Sequence, residues 1–505
     1  MSLLIRGAAV LPLDGGDDVR HGVDLLVEDG RIAAMGPALA PAVPPDRVID
    51  GRDRLVMPGL VNAHLHSHNN YYRGFFDSLP LDDCVLRVWN IGAAPRDVRL
   101  TPRQVYARAL LGCAEMLRTG TTLALDDVNL APGLDEEAVA AVVQAYEDSG
   151  MRAVVAPHVF DVPYHRTVPF VADLLPSDLC RALDEMPVPD VGATAEIVRA
   201  CAKRWAAPGR RVRFGVGPSG PQRCTPQLLT AMLRLAEEFD LPVFIHALET
   251  RTQAAFGRVT YGKTLIEYLR DLGALGPRVS IGHAVWATPG DIDILAATGT
   301  SVSHNPVSNL KLGSGIAPVP GLLAAGVNVA LGTDGVMSND SLNLFESLKV
   351  AALLHKVREP EPERWLGARQ ALRMATVAGA RSARVEGLGV LGVGRPADLL
   401  LLDLRRAGFA PRNNLLHQAV YADGAGAVDT VLVDGRVVVE GGRVLTVDEA
   451  AVAAEVTQDA AAFHARNAAT ARRAAELTPY FREAYRRCWD VEVGTEAFGP
   501  RPRTT

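Results

Sequence analysis

The sequence predicts an α/β fold: a (β/α)8 TIM-like barrel joined to a small composite β-sandwich domain built from the N- and C-terminal segments. Three observations carry that reading. Between residues 58 and 388 an apolar strand, a loop and an amphipathic helix recur, with eight strand candidates. Short alternating runs with hairpin-turn signals flank that stretch on both sides. Histidines and an aspartate stand where predicted strands end, the face on which such barrels place active sites.

In chain order, residues 1–57 contain "SLLIRGAAVLPL", "VDLLVEDGRIAAMG" and "DRVIDGRDRLVM". "EDGR" falls between apolar runs as a turn, so this first part of the sandwich reads as a small antiparallel sheet. The barrel, residues 58–388, begins at "LVNAHLH". It continues through "TTLALDD", "RAVVAPH", "RVRFGVG", "PVFIHA", "RVSIGHA", "TSVSHN" and "NVALGTD". Helical patterns such as "TPRQVYARALLGCAEMLRTG" and "TPQLLTAMLRLAEEFD" intervene, with Thr or Asp caps in front and Gly closing several ends. Strands return in residues 389–448, "ADLLLLDL" and "VDTVLVDGRVVVEGGRVL", the second part of the sandwich. Neither flank has enough strands to bury two faces alone, so the two are expected to pair. Residues 449–505 form a C-terminal helical extension ending in "GPRPRTT", a tail read as unstructured.

Composition removes several function classes. A net charge of -6 and no Lys/Arg cluster argue against a nucleic-acid partner. No apolar run reaches a membrane span, and "MSLLIRGAAVLPLDGG" lacks the unbroken apolar region of a signal peptide. The six cysteines are scattered with no CxxC pair, which reads as reduced thiols in a cytoplasmic protein.

His64 and His66 stand two apart at the end of the first barrel strand, so a two-residue period points both the same way. Alone, HxH is a weak signal. His246, His283 and Asp334 end three further strands at the same barrel face, and imidazoles with a carboxylate suit a borderline divalent cation. With "PGLVNAHLH", "HALE", "GHAV", "SHNPVSNLKLGSGIAPV", "LGTDG" and "GRPADLLLLD" in place, the chain resembles the amidohydrolase superfamily over most of its length. The likeness is to its aminohydrolase (deaminase) branch, which includes s-triazine and purine-type N-heterocycle hydrolases. That resemblance implies metal ligation by His64, His66, His246 and Asp334, with Glu249, His283 and Asp334 catalytic. It also implies one divalent metal ion per chain, zinc with iron(II) as the alternative. The carboxylated Lys or Glu that bridges two metals in binuclear relatives has no counterpart in "VRFGVGPSG".

The implied chemistry is hydrolysis by a metal-activated water. Asp334 takes its proton, His283 hydrogen-bonds the hydroxide or the developing tetrahedral centre, and Glu249 protonates a ring nitrogen. A C–N bond of an amino-substituted N-heterocycle or cyclic amidine then breaks, releasing ammonia or an amine. The alternatives are another leaving group or a cyclic amide at the same site, or a catalytically silent barrel. The silent reading is disfavoured because the full ligand set stands beside Glu249. The expected partner is a small-molecule substrate, and the resemblance suggests a homo-oligomer.

Bland readings cover most other candidates. His68 reads as a loop residue outside the ligand set, and His158 as substrate-facing or structural. His304 reads as part of a turn beside the site. His21, His355, His417 and His464 read as structural or surface residues. "GVGPSG" matches GxGxxG formally, but Pro218 and "PQRCTP" delay the helix, so no dinucleotide site is expected. The absence of PCxxC excludes the cytidine-deaminase zinc fold. Specificity is expected from Asn69–Arg73, from Asp126, Asp127 and Asn129, and from "PQRC". Asp97 takes the place of an acid that grips ribose in nucleoside-type relatives; being shorter, it weakens the case for a nucleoside.

Overall fold

The N- and C-terminal segments meet in one sheet, and its register shows why neither could stand alone. The computed structural model describes residues 2–16, 18–88, 99–130, 134–357, 359 and 361–497. Asp97 and the tail from Gly499 therefore lie outside the described residues. β1 (Ser2–Val10), β2 (Arg20–Glu28), β3 (Arg31–Gly36), β4 (Arg47–Asp50) and β5 (Arg54–Pro58) come from the N-terminal side. β15 (Leu399–Asp403), β16 (Val428–Val433), β17 (Arg436–Glu440) and β18 (Arg443–Val444) come from the C-terminal side. Together they form a nine-stranded sheet, joined where β15 pairs antiparallel with β5 from Leu399–Pro58 to Asp403–Arg54. The sheet curls on itself: Leu3, Ile5, Val27 and Ile32 share a core with Leu399, Leu401 and Leu432.

The expected turns form. Asp29–Gly30, Asp434–Gly435 and Gly441–Gly442 each place both residues at positive φ, the twist that a tight hairpin needs. The expectation of a purely antiparallel N-terminal sheet does not hold. β4 and β5 both run parallel to β1, β4 beside Leu3–Arg6 and β5 beside Ala9–Val10. Gly51 joins them where a Cβ would come 2.8 Å from Arg6 O, so the chain passes too close to β1 for a side chain.

All eight predicted barrel strands are present: β6 (Leu60–Leu65), β7 (Thr121–Val128), β8 (Arg152–Val159), β9 (Val212–Phe214) with β10 (Gly217–Pro218) in the fourth place, β11 (Val243–Ala247), β12 (Val279–His283), β13 (Ser301–His304) and β14 (Val329–Leu331). They form two parallel sheets, β6 to β10 and β11 to β14. The sheets meet at a Val216–Val243 bridge on one side. On the other, Asp334 N–H donates to His64 O at 2.9 Å. Helices between strands start where the sequence placed caps: Thr101, Thr264 and Thr288 each complete a capping box, and Gly150 and Gly299 close their helices at positive φ.

The barrel interior fixes which residues reach its mouth. Leu123 and Leu125 of β7, Val154 and Ala156 of β8, Phe244 of β11 and Ala330 of β14 pack into one cluster, which strands so far apart can share only inside the barrel. Continuing each by two residues gives Asp127, His158 and His246, and by four gives Asp334. β6 breaks this parity. Val61 and Ala63 belong to the interior cluster, and a register shift between Asn62 and Leu65 re-aims the chain so that His64 and His66 also face the site.

Two helices follow the second sheet segment. Glu449–Arg466 lies against the helix Pro102–Arg118, pairing Glu455 with Arg103. Ala468–Cys488 packs Leu477 and Phe481 against Leu86, Val168 and Leu183. No helix among the described residues is long and apolar enough to cross a membrane. The six cysteines are free thiols.

Candidate metal centre and active site

At the barrel mouth the structure brings together His64, His66, His246, His283, Glu249 and Asp334. His66 Nε2 lies 3.3 Å from His246 Nε2 and 3.2 Å from Asp334 Oδ1, and His64 Nε2 lies 3.8 Å from that oxygen. The ligand atoms of His64, His66 and His246 all fall within 4.8 Å of one another, as do those of His64, His283 and Asp334.

His66, His246 and His283 are each turned by a bond at the back of the ring. His66 Nδ1–H donates to Asp127 O at 2.6 Å and His246 Nδ1–H to Ser219 O at 2.9 Å, which fixes both tautomers with Nε2 inward. Asp334 is held by Ser308 Oγ at 2.5 Å and Ser338 Oγ at 3.0 Å on Oδ2, and by Gly335 N–H at 2.7 Å on Oδ1. His283 Nδ1 lies 2.8 Å from Asn309 Oδ1 and its Nε2 3.9 Å from Glu249 Oε2. Gln253 holds Glu249 from both ends, its Oε1 accepting the Glu249 N–H at 3.0 Å and its Nε2 donating to Oε2 at 3.3 Å.

The backbone is strained where it delivers these groups. His283 (φ 74°) and Asp334 (φ 62°) adopt the left-handed region, as do Leu248 and Ala284 beside them. For non-glycine residues this costs on the order of 1–3 kcal/mol each.

The electrostatics fit a cation. Burial holds the His64 imidazole well below its ordinary pKa and His246 down at about 3, so both are neutral donors. His64 Nε2 is buried with no hydrogen-bond partner. At His66, burial works downward, but the bond and charge of Asp334 outweigh it and hold the ring at about 10. The Asp334 charge thus favours a cation among these rings. Asp334 is pushed up by burial, yet His66 holds its carboxyl well below the usual range. Glu249 is raised by burial, against the pull of His283.

Some expectations need correction. Ser67–Tyr72 is a buried 3-10 helix rather than a substrate loop: Asn70 donates to Arg108 O, and Tyr71 packs on Phe463. Arg73 pairs with Glu115, leaving Asn69 as the member of that run that lines the cavity. Asp126 turns away from the interior to bond Tyr146. "SHNPVSN" is the end of β13 followed by a helix, Pro306–Lys311, and its Asn305, Ser308 and Asn309 steady His283 and Asp334. His68 stays outside the donor cluster, its Nδ1 accepting from Asn129 N–H, and it lines the cavity. Asp82 and Tyr164, hydrogen-bonded at 2.7 Å, also line it and were not anticipated; the sequence holds no signal for either.

Barrel and donor set together define a metal-dependent hydrolase. Residues 55–438 match the amidohydrolase family. The 5-methylthioadenosine/S-adenosylhomocysteine deaminase of Nitratidesulfovibrio vulgaris (strain Miyazaki F) is 38% identical over 456 residues, covering 90% of this chain and 96% of that protein. The 5'-deoxyadenosine deaminase of Methanothermobacter thermautotrophicus (strain Delta H) is 37% identical over 448 residues, covering 89% and 95%. Among solved structures, a zinc-bound adenosine deaminase from Xanthomonas campestris superposes with a TM-score of 0.79 at 29% identity, over 92% of this chain and 98% of that one. The zinc complex of atrazine chlorohydrolase from Arthrobacter aurescens TC1 gives 0.80 at 28%, over 90% and 99%. The chain belongs to the amidohydrolase family, and it is a metal-dependent hydrolase of C–N bonds.

Proposed function

We propose that this chain removes the exocyclic amino group of an amino-substituted N-heterocycle as ammonia, with an adenine-type ring as the first candidate, using one zinc ion. The observation that carries the reading is the Glu249–His283 pair, 3.9 Å apart, set against the His64, His66, His246 and Asp334 donors. The adenosine-type deaminases at 37–38% identity support the choice of ring. When bound, a divalent ion supplies the Lewis acidity that brings the pKa of water down to about 7.

The chain's own residues do the rest. His64, His66, His246 and Asp334 would hold the ion, with the His66 and His246 tautomers and the Asp334 carboxylate already set by the bonds behind them. Asp334 accepts the proton of the attacking water as its oxygen adds to the amino-bearing carbon. His283, steadied by Asn309, hydrogen-bonds the oxygen that is adding. Glu249, raised by burial, carries a proton to the adjacent ring nitrogen, so the ring is not left anionic as the bond forms. The C–N bond then breaks as the amine takes the proton held by Asp334 and leaves as ammonia, while the added hydroxyl returns a proton to Glu249 and becomes the oxo group. A single ion is supported by the commitment of His246 Nδ1 to Ser219 O, which removes that nitrogen from the neighbouring group of Asp127, His158 and His246.

The test is ammonia release by zinc-loaded protein across adenosine, 5'-deoxyadenosine, aminopyrimidines, aminotriazines and pterins, with product masses. Ammonia with an oxo product from one group supports the reading. Chloride or alkylamine release from triazines alone, with no ammonia from any ring, overturns it.

A further inference from the structure

A different flank of the cavity carries groups that the proposed chemistry does not use. Asp127 and His158 are the inward-facing residues at the ends of β7 and β8, and both are buried. His158 contacts the His246 ring, centroids 5.5 Å apart, whereas His283 contacts the same ring at 5.6 Å. Asp127 Oδ2 accepts from His158 Nδ1 at 2.9 Å. A carboxylate can only accept, so the proton sits on Nδ1 and Nε2 of the neutral ring is an acceptor. Arg223 adds the opposite polarity. Its guanidinium lies 5.1 Å over the Phe160 ring and 5.2 Å over Tyr164, lines the same cavity and can only donate. Burial brings it down to about 10, which leaves it cationic near neutrality.

We infer that His158, held from behind by Asp127, and Arg223 form a recognition wall for an adjacent donor–acceptor pair on the substrate, His158 taking an N–H or O–H and Arg223 donating to an oxygen. The inference rests on the aminohydrolase reading above and deepens it. Two sources present that pair: vicinal hydroxyls of a sugar attached to the ring, and the NH–C=O edge of an oxo-substituted ring. The bland rival is that the pair only steadies His246, since Asp127 Oδ2 also lies 3.6 Å from His246 Nδ1.

The experiment compares zinc-loaded wild type with His158→Phe, His158→Gln, Arg223→Met and Arg223→Lys. Ammonia release and calorimetric binding are measured for adenosine, 2',3'-dideoxyadenosine and guanine, with zinc content by mass spectrometry. Wild type should favour adenosine or guanine over the dideoxy compound by about tenfold or more, and which of the two is favoured identifies the source. His158→Phe and Arg223→Met should erase that preference at unchanged zinc content, and the polar variants should restore part of it. Equal losses on all three compounds, lost zinc, or an intact preference would each overturn the wall. Binding with the predicted dependence but no turnover keeps the wall and sinks the aminohydrolase reading. Neither binding nor turnover sinks both.

Discussion

Glu249 and His66 sit in one cavity yet should fail in different ways. His66 offers Nε2 to the donor cluster and is backed by a main-chain carbonyl, so His66→Ala removes one of the proposed ligands. We expect that variant to purify without stoichiometric zinc. Glu249 lies beside His283 rather than among the donors, so Glu249→Gln should keep zinc and lose about 10²-fold or more in kcat. A Glu249→Gln enzyme turning over at the wild-type rate would remove the case for ring protonation. Asn309 is a positioning residue: Asn309→Leu should keep zinc, lower kcat through a misoriented His283, and leave KM nearly unchanged. A kcat equal to wild type would show that His283 needs no such partner. The ligand-type residues were legible because their side chains are rare at strand ends. Ser308 and Asn309 were not, because a serine or asparagine shows its use only when packing gives it a partner.

At the scale of elements, interior parity does most of the placing. Val154 and Ala156 put His158 inside, and Leu123 and Leu125 do the same for Asp127 while turning Asp126 out. That signal was present in the sequence, hidden because a fully buried strand reads as a continuous apolar run. The β6 register shift and the left-handed His283 and Asp334 were not readable, since each answers to a neighbouring strand. Gly332 shows the constraint at the seam between β14 and β6. A Cβ there would stand 2.4 Å from Asn305 Oδ1 and 2.8 Å from His64 O. Gly332→Ala should therefore cost about 1–3 kcal/mol by chemical denaturation. It should also lower zinc occupancy, because the displaced atoms belong to a ligand strand and to His283's support. Wild-type stability and full occupancy in that variant would mean the seam yields without consequence.

For the whole molecule, the C-terminal extension braces the walls of the cavity. Phe481 is fully buried against Leu86 and Val168, Arg482 pairs with Asp83, and Arg251 donates to Cys488 O, Trp489 O and Val491 O while lying between Trp286 and Trp489. Each of the two C-terminal helices thus packs one face on its own chain. Phe481→Ala should cost about 3–5 kcal/mol and raise KM without loss of zinc, because the helix Leu81–Val88 walls the cavity from the other side. An unchanged KM would confine the brace to stability.

The donors also span the molecule. His64 and His66 come from the end of β6, in one parallel sheet. His246 ends β11 in the other, and Asp334 follows β14 across the seam. An ion held by all four would add a cross-link between two sheets whose backbones meet at the Val216–Val243 bridge on one side and at main-chain bonds such as Asp334 N–H to His64 O on the other. Only the folded chain gathers those donors, so ligand linkage requires stability to rise with free zinc, by about 4 kcal/mol when zinc exceeds its dissociation constant a thousandfold. Removing the ion with a chelator should lower Tm in proportion, and adding zinc back should restore Tm and activity together. In His66→Ala the zinc-dependent rise should shrink or vanish, while in Glu249→Gln it should persist in full. A wild-type Tm indifferent to both chelator and zinc would place the ion, if one binds at all, somewhere other than across this seam.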